Sequence, residues 1–193
     1  MITSHGNAQI KNLVQLNTSS KVRKEQDVFV AEGIKMFLEA PKSEIVQVYA
    51  AASYFEKTPY KKEITELPYE LVADDVFKKA SDTLSPQGIL CVIRQRHYEL
   101  SELLKQETPH LVLLESLQDP GNLGTILRTG EGAGINGVIM DTKTVDIYNP
   151  KVIRATMGSI YRIPFFYAED LTAVISVIKD KKITVYAAHL QGS

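Results

Sequence analysis

Residues 110–116, HLVLLES, form an apolar run with almost no alternation, and the turn QDPGN at 118–122 breaks it and opens directly into LGTILRTGEGAG. A strand that is apolar on both sides has to be covered on both faces. That directs the chain toward a parallel sheet wrapped by helices. The residues beyond repeat the theme. INGVIMD (135–141) reads as a strand, and Asn149-Pro150 as a helix start with Pro at the first helical position. A short strand is expected around 164–167, a helix over 169–181 and a strand, KITVYAAH, over 182–189. Strand and helix thus alternate through this half, as in a parallel α/β sheet.

The first hundred residues alternate more loosely. Residues 1–17 carry Ile10, Leu13, Val14 and Leu16 at helical spacing. NTSSKVRKEQD (17–27) reads as a polar, basic link. Strands are expected at 28–33, 45–51, 68–72 and 89–93, and helices at 34–40, 73–82 and 98–108. This predicts a small α/β layer domain over 1–105 and a second domain over 106–193.

Composition sets few limits. A formal net charge of -1 over 193 residues gives no global basic surface, so a nucleic-acid partner has to be held by a local patch. The single Cys91, inside GILCVIR, rules out an internal disulfide and reads as a packed apolar residue. No metal-ligand cluster and no bilayer-length apolar stretch stand out, and a cytoplasmic protein is expected.

The turn at 118–124 carries the chemistry. Ligands on open parallel sheets sit beyond the carboxyl ends of the strands, where this turn lies. Pro120 fixes one backbone angle and Gly121 is expected to supply a strained one. Asn122 is expected to cap the following helix. Arg128 lies six residues on, about two-thirds of the way round a helix, so the curvature of the loop would have to make the two neighbours.

The string N-x-G-x-x-x-R-T-x-x-G, here Asn122, Gly124, Arg128, Thr129 and Gly132, resembles the first signature motif of the SpoU/TrmH family of RNA 2'-O-ribose methyltransferases. FVAEGIKMFLEA (29–40) and LSPQGILCVIRQ (84–95) resemble the opening and close of that family's L30e-like RNA-binding domain. NPKVIRATMGSIYRIPFF (149–166) resembles the segment between its first two motifs.

The resemblance implies an L30e-like α/β domain followed by a SPOUT-type parallel-sheet domain. It also implies S-adenosylmethionine as cofactor, RNA as substrate with ribosomal RNA favoured over transfer RNA, no membrane, and a homodimer at full length. The same likeness assigns Asn122 and Arg128 to catalysis and His189, Leu190, Gln191 and Gly192 to the cofactor. RNA contacts fall to Lys21, Arg23, Lys24, Arg154 and Ser159. Arginine is a poor base, so Arg128 is expected to grip a phosphate and stabilise a developing alkoxide.

Two later family motifs, which complete the cofactor pocket and a trefoil knot, are not found in these residues. The expectation is therefore an incomplete knot and an incomplete, inactive cofactor site in this stretch. A non-catalytic RNA-binding protein descended from a methyltransferase is the alternative reading. A dinucleotide-binding enzyme ranks third: Asp141 ends the strand after the first helix as such a fold requires, but the glycine pattern is wrong.

Overall fold

The computed structural model describes residues 1–188. Helix α1 (Ala8–Thr18) starts at Asn7, whose side chain accepts from the Gln9 N–H, and buries Ile10, Leu13 and Leu16. The expected link at 17–27 is a second helix, α2 (Ser20–Gln26), capped by the Ser19 side chain and closed by Asp27 in a left-handed conformation. Its anchor is distant in sequence. The Arg23 guanidinium, 3% exposed, donates to Asp146 at 2.6 Å and to the Leu16 carbonyl at 2.7 Å. Polar composition hid a helix held by one long-range ion pair.

Strand β1 (Val28–Glu32), helix α3 (Ile34–Glu39) and strand β2 (Ile45–Ala51) follow as expected. Two short helices, α4 (Ala52–Lys57) and α5 (Lys61–Thr65), then precede strand β3 (Tyr69–Val72). Helix α6 (Asp74–Ala80) carries Asp74 and Asp75 in its first turn, where negative charge suits the helix dipole. Strand β4 (Ile89–Arg94) completes a sheet in the order β1-β4-β2-β3, antiparallel except for the β2–β3 pair.

This sheet is apolar on both sides, and the alternation of β4 shows why. Leu90 and Val92 face a cluster with Ile10 and Leu13 of α1 and Phe77 of α6. Ile89, Cys91 and Ile93 face a cluster shared with the second half of the chain. Burial pushes the Cys91 thiol well above its ordinary range, in keeping with an inert packing role.

The helix expected over 98–108 is cut to one turn, α7 (Leu100–Leu103), fixed by a capping box in which the Glu99 N–H donates to the Glu102 carboxylate at 2.8 Å. Strand β5 (Leu111–Leu114), helix α8 (Pro120–Gly132), strand β6 (Gly137–Asp141), helix α9 (Pro150–Thr156), strand β7 (Phe165–Ala168) and helix α10 (Leu171–Asp180) build the second half. Its sheet is parallel, in the order β5-β6-β7, with Leu111 opposite Gly137 and Val138 opposite Phe165. The strand expected at 182–189 is not formed over 183–188. There Ile183 and Val185 pack on the cluster that holds Leu111 and Leu113, while Tyr186 is 90% exposed. Apolar side chains and one hydrogen bond, from the Ile183 N–H to the Ile178 carbonyl, seat this segment without a backbone ladder.

The two halves share one core. Phe29, Ala31 and Phe37 lie in the same apolar cluster as Leu123, Val138, Tyr148 and Phe165. The Phe29 and Tyr148 rings stack at 4.7 Å. The Tyr148 hydroxyl donates to the Arg96 carbonyl at 2.9 Å and accepts from the Arg96 N–H at 2.6 Å. The Arg96 side chain grips both Glu44 oxygens and also donates to the Tyr161 carbonyl.

Removing that one hydroxyl should therefore weaken the whole chain. Tyr148→Phe strands the Arg96 amide and carbonyl and is expected to cost about 1–3 kcal/mol, read as a lower midpoint in chemical denaturation. An unchanged midpoint contradicts the role given to this junction.

Candidate active-site helix

The loop from β5 to α8 is organised by a buried acid at the end of the neighbouring strand. The Asp141 carboxylate accepts from the Ser116 N–H (2.9 Å) and hydroxyl (3.0 Å), and from the Thr144 N–H (2.9 Å) and hydroxyl (2.7 Å). Thr144 Oγ1 also accepts from the Leu117 N–H, and the Val145 N–H donates to the Leu117 carbonyl. The loops after β5 and β6 are thereby laced together, with Ser116 held at φ 51°. Burial opposes charge on Asp141, but the hydrogen bonds from Thr144 and Ser116 outweigh it and hold the carboxyl below its ordinary value.

The helix begins earlier than expected. Asp119, not Asn122, is the N-cap: its side chain accepts from the Asn122 N–H at 2.6 Å, and Pro120 takes the first helical position. Gly121 does not adopt a positive φ and is not strained. The cap therefore places a carboxylate at the N-terminus of α8. The helix end already has a negative partner, so an anion has to be held elsewhere.

With Asn122 inside α8, helix geometry fixes its relation to Arg128. They are about 9 Å apart along the axis and about 120° apart round it. Loop curvature does not make them neighbours, yet both are exposed, together with Gly121, Thr125, Thr129 and Gly132. Leu123, Gly124, Leu127 and Gly130 form the buried side. Gly124 is required by packing: a Cβ there would lie 2.4 Å from the Ala155 Cβ and 2.7 Å from the Val152 carbonyl of α9. The motif glycine therefore sets how closely α8 and α9 approach.

Three arginines follow residue 100. Arg154 pairs with Asp82 at 2.9 Å. Arg162 binds Glu131 through two nitrogens and Glu39 at 2.8 Å, and the Ser159 hydroxyl donates to the same Glu131 at 2.6 Å. The hydrogen bonds from Arg162 outweigh partial burial and lower the Glu131 carboxyl below its ordinary value. Arg128 makes no ion pair among the described residues.

Several expected RNA contacts change character. Arg23 is sealed in its pair with Asp146 and cannot reach a ligand. Ser159 is 1% exposed and committed to Glu131. Arg154 serves as a strut between α9 and the segment before β4. Lys21 is exposed, within 3.8 Å of Glu25, and Lys24 lines a cavity of about 360 Å³ with Asp146 and Tyr167. His189, Leu190, Gln191 and Gly192 lie outside the described residues. Sequence reasoning passed over Asp141 as a positioning group. The signal available was an acid ending a strand, followed by Thr142 and Thr144, which readily turn back on a carboxylate.

Comparison with known proteins agrees with this geometry. Residues 109–193 match the SpoU rRNA Methylase family, and residues 7–91 match the MRM3-like substrate binding domain. The chain is 30% identical over 191 residues to the 23S rRNA (guanosine(2553)-2'-O)-methyltransferase RlmP of Bacillus subtilis (strain 168), covering 99% of this chain and 74% of that protein. It is also 30% identical over 166 residues to the mitochondrial rRNA methyltransferase 3 of Homo sapiens, covering 82% of this chain but only 39% of the human protein. A crystal structure of an rRNA methyltransferase from Sinorhizobium meliloti superimposes with a TM-score of 0.84 at 30% identity, over 100% of this chain and 73% of that one. An AdoMet-bound rRNA methyltransferase from the same organism gives 0.78 at 29%, over 93% and 68%.

The matches over both halves of the chain, on a mixed-sheet domain packed against a parallel sheet, identify an RNA-modifying methyltransferase. The chain belongs to the SpoU rRNA methylase family.

Two substitutions test the scaffold. Gly124→Ala should cost about 1–3 kcal/mol through overpacking, lowering the melting temperature. For Asp141, the folded carboxyl titrates below the unfolded value of about 4. Its stabilisation is complete above that value and is lost as pH falls through the lower folded one. Asp141→Asn should destabilise at pH 7 and flatten the acid limb of a stability-against-pH curve. An unaltered acid limb contradicts the assignment.

Proposed function

We propose that this protein transfers a methyl group from S-adenosylmethionine to a ribose 2'-hydroxyl of RNA, with ribosomal RNA as the substrate class. The observation that carries the reading is Arg128: an exposed guanidinium without an acidic partner among the described residues, on the helix that follows the Asp141 network at the end of β5. Where the other late arginines are consumed by structure, this one is left for a ligand.

The described residues fit the sugar-facing side of this reaction. Residues 116–118 turn their polar groups onto Asp141, Thr144 and the Lys143 carbonyl, and Asp119 caps the start of α8. Bound S-adenosylmethionine supplies an electrophilic methyl carbon on a sulfonium. The protein's task is to present the 2'-oxygen in line with that carbon and to ease the loss of its proton. Arg128 holds a phosphate of the target nucleotide in its fork and stabilises negative charge as it grows on the 2'-oxygen. It remains protonated throughout, so the hydroxyl proton passes to the neighbouring phosphate or to water. Asn122, about one and two-thirds turns earlier, offers an amide that both donates and accepts, suited to orienting the ribose. The proposal extends to a homodimer at full length, on the family likeness alone.

In the full-length protein, Arg128→Ala should reduce methyl transfer at least a hundredfold, about 3 kcal/mol of lost transition-state stabilisation. Cofactor affinity measured by calorimetry should stay within about twofold. A large loss of cofactor affinity would contradict the role, and undiminished transfer would overturn it. RNA binding with no methyl transfer from the unsubstituted protein would instead identify a non-catalytic binding protein.

A further inference from the structure

Arg128 has an acid one turn away on its own helix. Glu131 lies three residues on, about 4.5 Å along the axis and about 60° round it. At that spacing a carboxylate and a guanidinium pair on a helix surface. These two do not. Both Glu131 oxygens are engaged elsewhere. The Arg162 Nε donates to one, the Arg162 Nη2 donates to the other at 3.1 Å, and the Ser159 hydroxyl donates to that second oxygen at 2.6 Å.

Three parts of the chain converge on this arrangement. The remaining arm of the Arg162 fork, Nη1, donates at 2.8 Å to Glu39 at the end of α3. Gly158, at φ +103°, leaves room for that carboxylate: a Cβ there would lie 2.0 Å from the Glu39 Oε2. Glu39 also has the Lys35 ammonium at 3.7 Å. Glu131 has Arg162 as its one ion-pair partner among the described residues. Ion pairs as exposed as these contribute little to stability, so the consequence of the cluster lies in where it leaves charge.

We propose that Arg162 is a positioning residue for methyl transfer: by occupying both oxygens of Glu131 it keeps that acid off Arg128 and leaves the Arg128 guanidinium to the phosphate of the target nucleotide. The inference rests on the reading that Arg128 grips the RNA. Without Arg162, Glu131 harms that grip in two ways. It pairs with Arg128 across one helical turn. Its unneutralised charge also repels the phosphate and the 2'-oxygen on which negative charge grows. Ser159 cannot prevent this, because a hydroxyl carries no charge to set against the carboxylate.

The test reads kcat/KM for RNA and the melting temperature of the full-length protein. Arg162→Ala should lower kcat/KM about tenfold, the effect of one freed charge a helical turn from the guanidinium. Arg162→Lys keeps a cation beside Glu131 and should lose no more than about threefold. Adding Glu131→Gln to Arg162→Ala should bring kcat/KM back to within about threefold of the unsubstituted protein. Adding Glu39→Gln instead should not, because Glu39 retains Lys35 and stands on another helix. Neither addition replaces the lost Arg162 contacts, so the melting temperature should stay at the Arg162→Ala value in both double variants, which separates positioning from folding. Thr125→Glu asks the same question with Arg162 in place. It sets an acid one turn before Arg128 at an exposed position and should also lower kcat/KM about tenfold, whereas Thr125→Gln should cost less than about threefold. Rescue by neither double variant, equal rescue by both, or full transfer from Thr125→Glu overturns the inference. An unsubstituted protein that transfers no methyl group overturns the proposed activity, and full transfer from Arg128→Ala overturns the role given to Arg128.

Discussion

The face of the first sheet that carries Phe29, Ala31, Cys91 and Ile93 is apolar, and residues from Leu123 onward in the second half of the chain help to cover it. Burial of such surface is the main favourable term in folding, at about 25 cal/mol per Å². Here it is spent on joining two sheets. Tyr148 shows the economy: its ring stacks on Phe29 while its hydroxyl satisfies both backbone groups of Arg96. Arg96 in turn ties Glu44 of the first half to the Tyr161 carbonyl of the second. The placement of α8 relative to the first half follows from this junction, because α8 packs on α9 and α9 packs on β1.

Within the second half, two choices of residue fix helix α8. Asp141 draws the loops after β5 and β6 onto one carboxylate, and Gly124 lets α8 lie against Ala155 without a Cβ between them. Neither group is disposed to touch a substrate. Both decide where Asn122 and Arg128 stand, and that is why a family motif can contain a residue whose work is packing.

Much of this was legible in the sequence, for a physical reason. The span of β2 and the start of α9 are set locally, by β-branched runs and by Asn149 before Pro150. The cap of α8 was also locally encoded: Pro120 prefers the first helical position, so Asp119 rather than Asn122 had to precede it. Helix α2 was not legible, since its polar sequence is held by an ion pair between Arg23 and Asp146. Ser159 looked like a ligand and proved to be a buried donor to Glu131, a partner 28 positions earlier that no periodicity announces. The segment 183–188 has the composition of a strand, yet composition cannot supply the ladder that defines one.

The strut between Arg154 and Asp82 has a mechanical meaning. It pins α9 to the segment before β4, and α9 is the helix on which α8 rests. A protein braced in this way has a fixed gauge between its two ends, like calipers locked at one opening. The spacing between the first sheet and α8 is thereby carried through α9.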